Sequence, residues 1–402
     1  MMTTQEAAEM LGVSRQTLYL WRRQGLISIP RDDRGHLIWD IERTKRVRDN
    51  IDNHRLAIKE TKRESSYFQI NNRRYLGSKE KLLPFINQIV SEYTNGVSSV
   101  ADIFAGTGVV ANMFASQGKH VIINDILHSN YLVYKTFFGH EQVNRKHINS
   151  ALSKMNSLHD YGDGYLEKAY GNRYFSQENA NKISSARQWV EDNKNSFNDR
   201  ELAILITSII YGSDKVANTV GHYDAYRKKM DSFAPVLFKP PLINKNYNSE
   251  IFEEDANDLV KHIYADLIYI DTPYNSRQYV DTYHVLENIA DWNKPEIIGV
   301  ARKSTDRQDR KSKYNLVSAP AAFNNLITHI NAKYVLVSFN NMAKKGVGRS
   351  NSKISHEEIM ESLKQRGQAF VFEKEFKPFS SGKSQIRNHK ELLYLLKVDK
   401  ND

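Results

Sequence analysis

The string Asp271-Thr272-Pro273-Tyr274 sets a carboxylate, a rigid turn and an aromatic ring side by side, directly after the apolar run Leu267-Ile268-Tyr269-Ile270. Such a run reads as a buried strand, so the four residues fall at the carboxyl edge of a sheet, where open α/β sheets bind ligands. The grouping suits an aminopurine. An exocyclic amine is a poor nucleophile because its lone pair is delocalised into the ring, and acceptors for both of its hydrogens help to localise that pair. The carboxylate of Asp271 and the backbone carbonyl of Thr272 can be those acceptors, with Pro273 fixing the chain and Tyr274 stacking on the base. No metal is needed for that chemistry. The 13 histidines lack ligand spacing, and the absence of cysteine excludes disulfides, thiolate metal sites and a cysteine nucleophile. No G-x-S-x-G elbow supports a hydrolase.

A second group precedes it. The strand-like Val100-Ala101-Asp102-Ile103-Phe104 runs into Ala105-Gly106-Thr107-Gly108 and a helical stretch from Val109. Glycine there lets the backbone turn tightly and approach a ligand. Asp125, at the end of the next strand, stands where Rossmann-like sites place an acid on ribose hydroxyls. With Ala111 where a third glycine would complete G-x-G-x-x-G, this pattern alone leaves a nicotinamide cofactor open. The catalytic turn favours S-adenosylmethionine, whose sulfonium carries the methyl group, so that the protein supplies alignment and electrostatics.

Together these residues resemble the Dam-like, D12 class of adenine-N6 DNA methyltransferases. Asp102 to Gly108 is similar to that family's D-x-F-x-G-x-G loop, with Asp102, Phe104, Gly106 and Gly108 in place. Arg74-Tyr75-Leu76-Gly77-Ser78-Lys79 is similar to its R-Y-x-G-S-K segment. The resemblance implies that Tyr75 and Gly77 line the cofactor's methionine end, that Lys79 reaches towards the active site, that Asp125 holds the ribose and that Asp255 lies near the cofactor adenine. It covers roughly residues 71–397. The longer string through Asn275-Ser276-Arg277-Gln278-Tyr279, and Ala217-Asn218-Thr219-Val220-Gly221-His222-Tyr223 upstream, resemble methyltransferases of restriction–modification systems. Thr272 replaces the family's usual proline, which a backbone role tolerates. Ser338-Phe339-Asn340-Asn341 resembles a further segment near the active site. The resemblance implies duplex DNA as substrate and a cognate restriction endonuclease as functional partner.

An adenine inside a duplex must be flipped out before its amine can react. In the family, sequence recognition sits between the cofactor loop and the catalytic strand, which here means roughly residues 128–249. Asn218, His222, Tyr223, Tyr226, Arg227, Lys228 and Lys229 are candidate DNA contacts there. Arg277 beside the catalytic turn, and Arg302, Lys303, Lys311 and Lys313 in the basic loop after it, are candidates for phosphates near the flipped base.

Elements that position these groups follow from patterning. Strands are expected at 97–104, 120–124, 265–271, 334–339, 369–376 and 392–398, alternating with helical stretches. That order predicts an α/β, Rossmann-like, doubly wound and mostly parallel methyltransferase sheet, with the last two strands as an antiparallel edge and an inserted target-recognition region. The first forty residues read as a helix-turn-helix resembling MerR-type and excisionase-like DNA-binding segments. Thr4 and Ser14 are its expected caps, and His36-Leu37-Ile38-Trp39 is its expected wing. Arg15, Gln16, Tyr19, Arg22 and Arg23 remain for DNA. The expected organisation is 1–53 helix-turn-helix, 54–70 linker, 71–127 with 250–402 catalytic, and 128–249 inserted.

The 402-residue chain carries a formal net charge of +10 spread along its length, which suits a polyanionic partner. It shows no secretory signal and no apolar run near the ~20 residues that span a bilayer, so a cytoplasmic protein without a membrane partner is expected. Three alternatives stay open. The same site would serve N4 of cytosine, the catalytic geometry does not distinguish RNA from DNA, and the N-terminal module would serve a transcriptional autoregulator.

Overall fold

The computed structural model describes residues 2–23, 39, 41, 44–45, 66–243, 247–273, 277–340, 352–375 and 390–399. The chain divides into two compact units between Tyr67 and Phe68. In the first, helix α1 (Thr4–Met10) is started by a capping box, and the cap is Thr3, reciprocally paired with Glu6, rather than Thr4. Gly12, at φ +65°, ends that turn, and the Ser14 side chain accepts the Thr17 amide at the start of helix α2 (Arg15–Arg23). Ala7, Ala8, Leu18 and Trp39 form a small core, and Met2 bridges to Trp39. Trp39 is thereby tied into the unit, whereas His36, Leu37 and Ile38, the rest of the expected wing, lie outside the described residues.

The second unit is built from strands β1 (Ser99–Asp102), β2 (His120–Asn124), β3 (Ser249–Phe252), β4 (Ala265–Ile270), the two-residue pair β5 (Ile297–Ile298) and β6 (Lys303–Ser304), β7 (Ala332–Asn340), β8 (Gly367–Glu375) and β9 (Lys390–Val398). Seven of them form one mixed sheet in the order β3-β2-β1-β4-β7-β9-β8, with β3, β2, β1, β4 and β7 parallel and β9 antiparallel to both neighbours. The α/β, mostly parallel architecture and all six expected strands are present. β3 was not expected, because Ser249-Glu250-Ile251-Phe252 is short and carries a charge. The expected antiparallel edge is formed by the last two strands, with β9 placed between β7 and β8. Its Leu393-Tyr394-Leu395-Leu396 stretch is buried and calls for a neighbour on each side, while β8 leaves Phe370 and Val371 about 40% exposed and takes the edge.

Helices cover both faces. On one, α3 (Leu83–Tyr93), α4 (Val109–Ser116), α5 (His128–Phe138), α6 (Arg145–Ser157), α7 (Tyr165–Tyr170), α8 (Gln177–Asp192), α9 (Asp199–Val216) and α12 (His284–Asp291), which follows α11 (Tyr279–Thr282), share one apolar cluster with Leu267, Tyr269, Leu336 and Leu395 of the sheet. On the other, α10 (Ala256–Leu259), α13 (Ala319–His329) and α14 (His356–Lys364) pack on Ile122, Ile268, Ile270, Val335 and Val337. The helices of 128–249 are thus continuous with the core of the sheet. β4 is buried along its whole length, as a central parallel strand covered on both faces should be.

Candidate active site

The carboxyl ends of β1, β2 and β4 open into a cleft of about 960 Å3, part of it open to solvent, whose walls include residues 75–79, 102–107, 124–127, 254–256 and 271–273 with Arg310, Ser312 and Tyr314. The glycine loop forms the floor. Gly106 and Gly108 adopt left-handed conformations at φ +52° and +74°, and a Cβ would meet the Tyr75 ring at 3.0 Å in the first case and Ile70 at 3.0 Å and Tyr134 at 3.1 Å in the second. Only glycine fits both the angle and the space. The Asp125 carboxylate accepts the Gly106 amide (2.9 Å) and the Leu127 amide (2.9 Å), so the acid and the loop hold one another. Burial raises the Asp125 pKa, and those two amides oppose the rise.

Asp102 closes the inner end. It is 1% exposed, and neither carboxylate oxygen has a hydrogen-bond partner of ordinary geometry among the described residues. Burial and then the charge of Asp271 push its pKa well up, with the Ala111 and Phe104 amides opposing. A buried acid without a partner in the wall of a cleft fits a cationic group on a ligand. The cleft's other end is aromatic and acidic: Phe104 meets Tyr314 edge to face at 5.1 Å, and Asp255 caps α10 through the Asn257 amide at 2.9 Å. A buried carboxylate at Asp102, a second acid at Asp125 beside the glycine loop and an apolar slot beside Asp255 are groups that could take the ammonium, ribose and adenine of S-adenosylmethionine.

Across the cleft, Lys79 places its Nζ 3.0 Å from Asp271 Oδ1, with the side chains 6% and 16% exposed. It also donates to the Gly77 carbonyl at 3.3 Å. Burial raises the Asp271 pKa, and the Lys79 ammonium pulls it back down. Thr272 is 1% exposed and Pro273 lines the cleft, whereas Tyr274, with Asn275 and Ser276, lies outside the described residues. The segment carrying Lys79 is fixed from the far side of the catalytic turn. Tyr75 stacks on Tyr283 at 4.6 Å, the Tyr283 hydroxyl accepts the Leu76 amide at 2.7 Å, and the Tyr279 hydroxyl donates to the Leu76 carbonyl at 3.2 Å.

The structure brings Tyr75, Gly77, Lys79, Asp102, Phe104, Gly106, Asp125, Asp255, Asp271, Thr272 and Pro273 to this one cleft, with Gly108 just behind it. The DNA candidates divide. Asn218 and Tyr223 are buried: Asn218 donates to the Arg173 and Arg227 carbonyls, and the Tyr223 hydroxyl bonds Asp214 at 3.2 Å. The polar types suggested surface contacts, but the loop they stabilise folds over them. The Arg302 guanidinium is spent on the Ala169 and Lys168 carbonyls at the end of α7. Arg277 (3.4 Å), Lys303 (3.5 Å) and His222 (3.9 Å) converge on Asp224, and Lys313 lies 3.7 Å from Asp255 beside the cleft. Lys311 is partly exposed. In the N-terminal unit Arg15, Gln16 and Tyr19 are exposed on α2, and the backbone of Arg22 and Arg23 continues that helix.

Several positioning groups carried no sequence signal. Asn124 joins three loops, donating to the Ile103 and Glu254 carbonyls and accepting the Glu254 amide at 2.9 Å. Gln278 donates to the Ser312 carbonyl (3.0 Å) and accepts its amide (2.8 Å), which fastens the segment over the cleft to the catalytic turn. Arg310 anchors that segment on Glu287 (2.8 Å) and Asp291 (2.9 Å), and these acids raise its pKa against the effect of burial. No patterning rule pairs residues so far apart in sequence. Among the described residues no group of acids and histidines could hold a metal ion, and no helix is long and apolar enough to cross a membrane.

Residues 75–348 match the family model for D12 class N6 adenine-specific DNA methyltransferases, and residues 1–39 match a helix-turn-helix domain. Modification methylase StsI of Streptococcus sanguinis is 34% identical over 343 residues, which cover 80% of this chain and 51% of that protein. Type II methyltransferase M.NlaIII of Neisseria lactamica is 30% identical over 330 residues, covering 79% of this chain and 95% of its own. Type II methyltransferase M.FokI of Planomicrobium okeanokoites is 28% identical over 349 residues, covering 81% and 52%. The chain therefore spans about half the length of the StsI and FokI proteins and nearly all of M.NlaIII.

Proposed function

The chain belongs to the D12 class N6 adenine-specific DNA methyltransferases, and we propose that it methylates N6 of an adenine flipped out of duplex DNA, using S-adenosylmethionine. On this reading it is the modification component of a type II restriction–modification system in the cytoplasm, and a cognate endonuclease reads the same site. The observation that carries the reading is the Lys79–Asp271 pair, 3.0 Å apart, at the mouth of the cleft that also holds Asp102 and Asp125.

When bound, the cofactor supplies an electrophilic methyl group on a sulfonium. Asp102 takes its ammonium, Asp125 its ribose hydroxyls, and Phe104 with Asp255 its adenine. Tyr75 and Gly77 shape the methionine end. Lys79 keeps Asp271 ionised in a place where burial favours the neutral acid. Asp271 and the Thr272 carbonyl accept the two amino hydrogens of the target adenine, which turns the N6 lone pair towards the methyl group, and Asp271 stabilises the positive charge that N6 acquires. Threonine is compatible with this role at position 272, because the acceptor is its backbone carbonyl. Tyr274 stacks on the flipped base, worth ~1–3 kcal/mol. His222, Arg277, Lys303, Lys311 and Lys313 engage DNA, three of them by exchanging Asp224 for phosphate.

Digestion of DNA from cells expressing the protein should yield N6-methyladenine; N4-methylcytosine in its place, or a preference for RNA over duplex DNA in methyl incorporation, would overturn the reading. Asp271→Ala should abolish turnover while cofactor binding persists. Arg15, Gln16 and Tyr19, exposed on α2, support DNA binding by the N-terminal unit. Deleting residues 1–53 should leave part of the methylation and remove binding to a specific promoter; loss of catalysis with promoter binding intact would instead make the unit part of the catalytic machinery.

A further inference from the structure

Glu391 is a buried carboxylate that the chemistry above leaves unused. It lies on β9 at 6% exposure, and sheet register places it with some precision. Asp102 pairs with Tyr269, Tyr269 with Leu336, and Leu336 with Leu395. Paired residues share a face and alternate residues return to it. Asp271, two beyond Tyr269, and Glu391, four before Leu395, therefore lie on the same face, at the same end of the sheet, with β7 between them. Lys79 reaches that face from the segment before α3, is 6% exposed, and faces both acids. The ammonium that pairs with Asp271 at 3.0 Å thus also exerts its charge on Glu391.

We propose that Glu391 is a positioning residue of the methylation site: ionised, it shares Lys79 with Asp271 and so strengthens Asp271 as the acceptor for the target amine. The inference rests on the role given to Asp271 above. With Glu391 neutral, the Lys79 charge is answered by Asp271 alone and damps its basicity. With Glu391 ionised, the three groups carry a net negative charge, which favours the positive charge developing on N6. Burial pushes the Glu391 carboxyl up to about 7, with Lys79 pulling it down and Asp271 pushing it further up. The control therefore operates near neutrality.

The other groups facing Glu391 are the Tyr269 hydroxyl from β4 and Lys374, opposite it on β8, whose ammonium lies 5.5 Å over the Phe85 ring; the adjacent Lys390 is paired with Glu373 at 2.7 Å. Burial and neighbouring acids raise the Tyr269 hydroxyl well above its usual range, which removes it as a source of a neutral-pH transition. His128, whose pKa Glu253 raises against the effect of burial, is a further titratable group, but it lies on α5, so variants at 391 separate the two.

The test is single-turnover methylation of duplex DNA by the full-length protein from about pH 5.5 to about pH 8.5, with Glu391→Gln and Glu391→Asp beside the wild type. The wild-type rate should rise through about pH 7 and level off. Glu391→Gln should lose that limb and run about tenfold slower on the plateau, the effect of roughly one pKa unit of acceptor strength, and Glu391→Asp should restore a limb. A Glu391→Gln profile that keeps the wild-type limb would sink the proposal, as would equal loss in both variants at every pH with lowered melting temperature. Independently of turnover, infrared titration of wild type against Glu391→Gln should reveal a carboxyl that ionises near pH 7; its absence also overturns the proposal. Failure of the DNA-methylation reading would show itself differently, as no N6-methyladenine from the wild type.

Discussion

Replacing Lys79 by methionine keeps much of the side-chain volume and removes the charge that faces Asp271 at 3.0 Å. Because the carboxylate charge is spread over two oxygens, the charge centres are about 4 Å apart, and at an effective dielectric of ~20 their attraction is about 4 kcal/mol. Burial already holds the Asp271 pKa above its ordinary value with Lys79 present, and loss of the ammonium pushes it further up, so the protonated form gains at the expense of the carboxylate. A protonated Asp271 cannot stabilise a cationic N6. The single-turnover rate of Lys79→Met at pH ~7 should fall at least about tenfold and recover in part as the pH is raised from ~7 to ~9, since a tenfold rate change needs only about 1.36 kcal/mol. The assay is incorporation of labelled methyl groups into duplex DNA over that pH range, with circular dichroism as a check on folding. A rate unchanged at neutral pH, or a loss of the same size at every pH, would refute the claim that Lys79 acts by keeping Asp271 ionised.

Asp102→Asn should weaken S-adenosylhomocysteine binding at least about tenfold by calorimetry while leaving the melting temperature of the free protein equal or higher, because a buried acid without a partner costs stability; a lower melting temperature with unchanged affinity would give Asp102 a purely structural role. Gly108→Ala should cost about 1–2 kcal/mol from its left-handed backbone, with more from the contacts at Ile70 and Tyr134, read by chemical denaturation. Asp266 accepts the Ser98 amide (2.8 Å), the Ser98 hydroxyl (2.6 Å) and the Ser99 amide (3.0 Å) and pairs with Lys333 (2.7 Å), so Asp266→Ala should destabilise by about 1.5–3 kcal/mol. These bonds and Lys333 lower its folded pKa against the effect of burial, so its contribution is present above the unfolded value near 3.8 and is lost as pH falls through the folded one. Denaturation of Asp266→Ala against wild type at pH ~7 and pH ~3 should therefore show the difference shrinking in acid.

The chemistry of the site was legible wherever it depends on a few consecutive residues at the end of a strand. Gly106 and Gly108 announce a left-handed loop, Asp125 ends the next strand, and Asp271 to Pro273 end a strand so apolar that it has to be central. β3 escaped notice because four residues with a glutamate have too little pattern, whereas the last two strands form the antiparallel edge expected of them, with the more apolar β9 on the inside. Local types misled at Asn218 and Tyr223, since a polar side chain that satisfies a loop's backbone looks in sequence like one that awaits a ligand. What the tertiary structure alone decided is which distant charges meet. Lys79, Asp271 and Glu391 are separated by most of the chain, and only the parallel register of β4 with β7 and the antiparallel return of β9 bring the two carboxylates to one face and one end of the sheet, where Lys79 pairs with Asp271. Electrostatic coupling depends on separation in space and on burial, neither of which is written in residue order.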